Sequence, residues 1–199
     1  MMRLLMTFTL AAAITLLAGL WIPLKATLAQ ELLNLAWAQS QAEHAQSRPW
    51  PWADTWPVGR LRFPGGQEPL VIVSGTHGES LAFGPGHMTV SALPGEAGTV
   101  ILAGHRDTHF SVLQEIRAGD RLEVQGLDGH WRPYEVIRER VVDARQERID
   151  FQAGGGNRLI LITCYPFNAL DPNGPLRYVI EAESFKEGGV YVAGDLASL

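Results

Sequence analysis

One cysteine and two lysines are what this 199-residue sequence is short of, and each scarcity excludes something. With Cys164 alone, no internal disulfide can form, so the fold rests on its core. A lone thiol is either a small buried hydrophobe or a reactive group, and its neighbours decide which. Because Lys25 and Lys186 are the only lysines, there is no basic patch to hold an anionic surface. The net charge is −5, and without residues 1–25, which hold Arg3 and Lys25, 14 basic residues face 21 acidic ones, a net of −7. Nucleic acid is excluded as a partner on that ground.

Internal repeats are missing, and so is a phosphate-binding loop, since Gly75-Thr76-His77-Gly78 lacks the lysine that such a loop needs. His105 and His109 stand four apart with Asp107 between them. No third ligand follows at a recognisable spacing, and the glutamate of a zinc-protease helix is absent, so no metal and no cofactor are expected. His77 and His87 read as hydrogen-bonded loop residues, and His44 and His130 as surface ones.

What is present suffices for one domain with a proper core plus an anchor: 46% of the residues are apolar. Residues 4–24 carry no charge, and as a helix they would span roughly 30 Å, the thickness of a bilayer core. A cleaved signal peptide is the rival, but its apolar stretch is usually about 7–15 residues, so an uncleaved transmembrane anchor is the expectation. Leu28, Leu32, Leu35 and Ala36 then fall at helical spacing, which reads as a juxtamembrane helix or a stalk, and Arg48-Pro49 stops it. The expected division is 1–25 as cytoplasmic tip and anchor, 26–48 as helix or stalk, and 49–199 as the catalytic domain. Trp50, Trp52 and Trp56 suit a membrane interface or an arm packed on the domain.

From residue 70 onward, short β-prone runs recur between Gly and Pro: 70–73, 99–103, 121–125, 134–137, 159–163 and 177–180. Their pattern predicts an all-β domain. Residues 100–103 and 159–162 are apolar without alternation, as in central strands covered on both faces. Phe110, Leu113 and Ile116 step by three, predicting a helical turn or two before Gly119, and the longest loops fall at 144–157 and 165–175.

Cys164 follows directly on an apolar strand and His105 follows another after Gly104, and a strand end is a rigid and exposed mount for a reacting group. Gly104-His105-Arg106-Asp107-Thr108-His109-Phe110 and Leu161-Ile162-Thr163-Cys164-Tyr165-Pro166-Phe167 resemble the two signature segments of sortases. Arg177, 13 residues after Cys164 at the head of the next apolar strand, stands where sortases carry their active-site arginine. Residues 52–58 and 91–96 also look like the class D-like and Gram-negative members, and the likeness covers about residues 50–183. Ile160 replaces the first threonine of the common Thr-Leu-X-Thr-Cys form and should pack into the sheet.

The resemblance implies a closed eight-stranded β-barrel with short helices behind an N-terminal transmembrane helix. It implies a cysteine transpeptidase at the inner membrane, its domain outside the cytoplasm. Such an enzyme cleaves the C-terminal sorting signal of a secreted protein through a Cys164 thioester and passes the acyl group to an amine acceptor, for instance one of the cell envelope. His105 would move the proton and Arg177 would hold the carbonyl oxygen. The competing readings are an extracytoplasmic cysteine peptidase, an L,D-transpeptidase, and a tethered barrel that only binds. Papain-like enzymes place cysteine before histidine, the Ser-X-Gly-Cys of L,D-transpeptidases is absent, and the complete trio argues against a dead barrel.

Overall fold

The computed structural model describes residues 2–66, 68–147, 156–169, 171 and 174–185; within the first helix, the side chains of residues 3–5, 11, 13, 14, 17, 18, 20, 22 and 23 lie outside that description. Helix α1 (Met2–Glu43) is rich in Ala and Leu, both strong helix formers. It ends at His44, whose φ of 51° is left-handed, with the Ala45 N–H bonded back to the Ser40 carbonyl at 3.2 Å. Among the described residues, no helix is long and apolar enough to cross a membrane. Part of the expected span at 4–24 falls on the side chains outside the description.

Eight strands close into a barrel in the order β1-β2-β3-β4-β7-β8-β6-β5, with β5 pairing back to β1. They are β1 (Pro57–Arg62), β2 (Leu70–Ser74), β3 (Gly86–His87), β4 (Thr99–Ala103), β5 (Arg121–Gln125), β6 (Trp131–Asp143), β7 (Arg158–Cys164) and β8 (Leu176–Ser184). The sequence pattern anticipates six of them; β1 and β3 are additions, and β6 runs well past residue 137. Pairings β2–β3 and β4–β7 are parallel, the rest antiparallel. The expected helical turns after Phe110 are a single 3₁₀ turn, Ser111–Gln114. The expected loops at 144–157 and 165–175 include residues 148–155, 170, 172 and 173, which lie outside the described residues.

Inward-facing side chains such as Leu61, Leu102, Leu122, Tyr134, Leu159 and Ile180 fill the barrel and are fully buried. The outer faces of β4, β7 and β8 are also apolar: Ile101, Ile160 and Val179 pack with Val142 in a second cluster. These central strands are therefore covered on both sides, and Ile160 packs into the sheet as expected.

The C-terminal half of α1 lies against the barrel wall instead of standing off it. Its docked face is Leu33, Ala36, Trp37 and Ser40, while Leu28 and Leu35, two of the residues whose spacing suggested a helix, are 57% and 65% exposed. Leu33 packs on Val71, Val73 and Phe83. Two polar bonds fix the contact, Gln30 Nε2 to the Phe83 carbonyl at 2.7 Å and Arg60 Nη2 to Asn34 Oδ1 at 3.0 Å.

Candidate active site

The parallel pairing of β4 with β7 makes both chains leave the sheet at the same end. Its last partners are Ala103 and Ile162, so His105 and Cys164 each stand two residues beyond that pair. On the other side of β7, antiparallel β8 sets Arg177 directly opposite Cys164. The three residues expected to do chemistry thus occupy neighbouring chains with Cys164 in the middle. Adjacent strands lie about 4.8 Å apart, so the backbones that carry the three residues are immediate neighbours. Paired residues share a face, and alternation puts Cys164 and Arg177 on the outer face with Ile162 and Val179. His105 is exposed, while Cys164 and Arg177 are half-buried.

The ends of β4 and β7 are tied together just before the two residues. The buried Thr163 hydroxyl donates to the Gly104 carbonyl at 2.7 Å, and the Gly104 N–H donates to the Ile162 carbonyl at 3.1 Å. A side chain at position 104 would not fit, because a Cβ there would lie 2.7 Å from the Phe110 ring. Phe110 is itself fully buried, edge-on to Phe63, and its N–H bonds to the His105 carbonyl at 3.0 Å. The turn after His105 is therefore pinned through its backbone while the imidazole stays accessible.

Arg106, the residue after His105, links this turn to the loop after Cys164. Its Nη2 donates to the Ala169 carbonyl at 2.7 Å and the Asp171 carbonyl at 3.0 Å. Sequence reasoning gives Arg106 no role: its partners lie 63 and 65 positions away, and nothing local announces them. Arg177 Nη1 donates to the Gly174 carbonyl at 2.6 Å and the Leu176 carbonyl at 2.8 Å, which folds the guanidinium over the turn that enters β8. Tyr165, Phe167 and Tyr178 pack as an aromatic group beside it, with ring centroids 5.3 to 6.1 Å apart.

His109 is half-buried next to this site. Burial holds its imidazole below the ordinary histidine value, and the nearby charge of His105 pushes the same way, so near neutral pH its uncharged form is favoured. Asp107 is exposed and takes no described part. Among the described residues, no three His, Cys, Asp or Glu side chains gather as a metal site. His87 is buried and bonded to Ser91 Oγ and the Ala92 carbonyl, a structural role.

A positioned thiol with an imidazole on one side and a guanidinium on the other suits acyl transfer, and comparison with known proteins points to one family. The family model for the sortase domain matches residues 61–185, which contain all three residues. Sortase D of Bacillus subtilis (strain 168) is 38% identical over 122 residues, 61% of each chain. This chain therefore spans about three fifths of that relative's length. Among solved structures, sortase A of Corynebacterium diphtheriae superposes with a TM-score of 0.59 at 25% identity, covering 68% of this chain and 63% of that one. Sortase C-1 of Actinomyces oris gives 0.58 at 28%, covering 65% and 73%. The sortase D5 transpeptidase of Clostridium perfringens gives 0.61 over 79% of this chain and 96% of that one; at 18% identity it shares the fold. With its closed barrel, its signature segments and a family match over most of its length, this chain belongs to the sortase family.

Proposed function

We propose that the protein is a cysteine transpeptidase that cleaves the C-terminal sorting signal of a secreted protein and joins the product to an amine. The observation that carries this reading is the strand register, which sets Cys164 opposite Arg177 and level with His105. The Cys164 thiolate attacks the scissile carbonyl carbon, and Arg177 donates hydrogen bonds to the oxygen as it gains charge. When the C–N bond breaks, His105 protonates the leaving amine, since an amide anion leaves poorly. The acyl group then sits on Cys164 as a thioester. An incoming amine attacks it, gives up a proton to His105 and releases the thiolate.

The test is to incubate the full chain with a library of extended peptides, with and without a primary amine, and to follow the products by mass spectrometry. The expected result is a covalent acyl adduct on Cys164 that the added amine turns into an amide. Hydrolysed product alone would favour a peptidase, and no adduct at all a barrel that only binds.

The uncharged run at 4–24 supports a membrane anchor, with residues 26–48 linking it to a catalytic domain at 49–199 outside the cytoplasm. The protein should stay with the membrane through carbonate washing and expose the barrel to protease from the outer side. Release with a new N-terminus near Gln30 would replace the anchor by a cleaved signal.

A further inference from the structure

Where α1 leaves the barrel, the structure holds a cleft of about 760 Å³ that the chemistry at Cys164 does not use. One wall is the helix, through Leu28 and Leu32; the other is Trp50, Trp52 and Phe83. Trp50 and Phe83 meet edge to face at 5.2 Å, so that wall is a fixed surface. The charged lining residues are exposed: Lys25 on the helix, Asp54 and Glu79 on the barrel. Trp52 is 79% exposed, more than any other large apolar side chain described on the barrel. A Trp that exposed beside an open apolar cleft is poorly placed in water.

We propose that this cleft takes an outer-leaflet phospholipid whose headgroup carries both a phosphate and an amine, and so rests the barrel on the membrane. The inference builds on the anchor proposed above. Three observations select a lipid as the occupant.

The first is height. If the uncharged run ends at the hydrocarbon edge, Leu28 and Leu32 lie about 6 and 12 Å further along the helix. Headgroups take up roughly 5–8 Å of each leaflet, the difference between a core of about 30 Å and a full bilayer of about 40–45 Å. The mouth of the cleft is therefore level with headgroups.

The second is composition. Trp52 lines the cleft at that level, and Trp21, 59% exposed with Lys25 Nζ 5.7 Å from its ring centroid, stands about one turn below the hydrocarbon edge, so aromatic side chains bracket the boundary on the helix and on the barrel. Tryptophan is enriched where an apolar body meets wet headgroups.

The third is charge. Lys25 suits a phosphate, and Asp54 with Glu79 suits an ammonium, whereas a purely anionic headgroup would meet two carboxylates for one lysine.

The sole cysteine allows one labelled position at a time. In a Cys164→Ala background, Ala82→Cys places a fluorophore on an exposed residue lining the cleft. His130→Cys places one in an exposed turn beside Gln41, about 20 Å further along α1 from Leu28. The full chain is reconstituted in vesicles of phosphatidylethanolamine and phosphatidylcholine, recovered by flotation, and quenched with aqueous iodide. Quenching should be several-fold weaker at position 82 than at position 130, and acyl-brominated lipid should quench position 82 alone. Equal iodide access at both positions in chains that float overturns the cleft and leaves the anchor standing. Chains that do not float overturn the anchor and the cleft with it. Equal protection in pure phosphatidylglycerol vesicles overturns the paired-headgroup assignment.

Discussion

Arg177→Lys should lower transpeptidation by roughly 10²-fold or more, the scale of losing one oxyanion donor. Lysine keeps the positive charge but loses the planar fork of donors, and its compact ammonium is more strongly hydrated. If charge near Cys164 were all that mattered, the swap would be silent. The structure supplies a second reason for a loss. Arg177 already bonds the carbonyls of Gly174 and Leu176, so its guanidinium is aimed from the turn that leads into β8. Alkylation of Cys164 by a small reagent should stay near the wild-type rate, while thioester formation with a substrate peptide slows. Near wild-type turnover in the lysine variant would return Arg177 to a general electrostatic role.

Glu181→Gln should destabilise the domain by about 3–5 kcal/mol, the range for removing one member of a buried ion pair. Its side chain is 3% exposed and bonds three arginines: Arg158 at 2.6 Å, and Arg138 and Arg140 at 2.9 Å each. Without the carboxylate those guanidiniums face one another, Arg158 at only 11% exposure. By contrast, Arg138→Met removes a side chain that is 57% exposed and should cost no more than about 1 kcal/mol. Urea unfolding reads both, through midpoints that shift at constant slope. Equal losses in the two variants would show that Glu181 is not the hub.

The same carboxylate sets a pH window. Burial, the largest single influence, raises its pKa, but hydrogen bonds and charge from Arg138 and Arg140 together override burial and hold the value below the ordinary one. A depressed folded value means a contribution that is full above the unfolded pKa, about 4.3, and lost as pH falls through the folded value. Acid should therefore weaken the wild-type more than Glu181→Gln.

That arginine cluster also explains a boundary that the residue pattern misplaced. The β-prone run ends at residue 137 because the charged Arg138, Glu139 and Arg140 that follow break the apolar pattern. The strand instead continues to Asp143, its arginines facing a glutamate on β8 some forty positions away. Strand β1 was hidden by Pro57 and by Gly59. Gly59 is needed because a Cβ there would lie 2.7 Å from Pro94 and 2.8 Å from the Gln125 carbonyl, contacts made only once the barrel closes. Two residues, Gly86 and His87, are too few to show any period. The helix was legible but not its buried side, since leucines on both faces leave no single stripe and only the barrel's Val71 and Val73 select Leu33.

At the site, strand ends and the family resemblance singled out His105, Cys164 and Arg177. The bonds made by Thr163 and Arg106 span about sixty residues and depend on a parallel pairing that no local pattern announces.

Helix α1 runs as one continuous rod from the N-terminal turns to the face that grips the barrel. Its residue count therefore works as a compass setting. One residue inserted between Lys25 and Gln30 would swing the barrel by about 100° around the rod and lift it about 1.5 Å, whereas four would bring it nearly back to its first heading about 6 Å higher. The direction from which a substrate would meet Cys164 is thus written in the phase of a helix that ends more than a hundred residues before it in the chain.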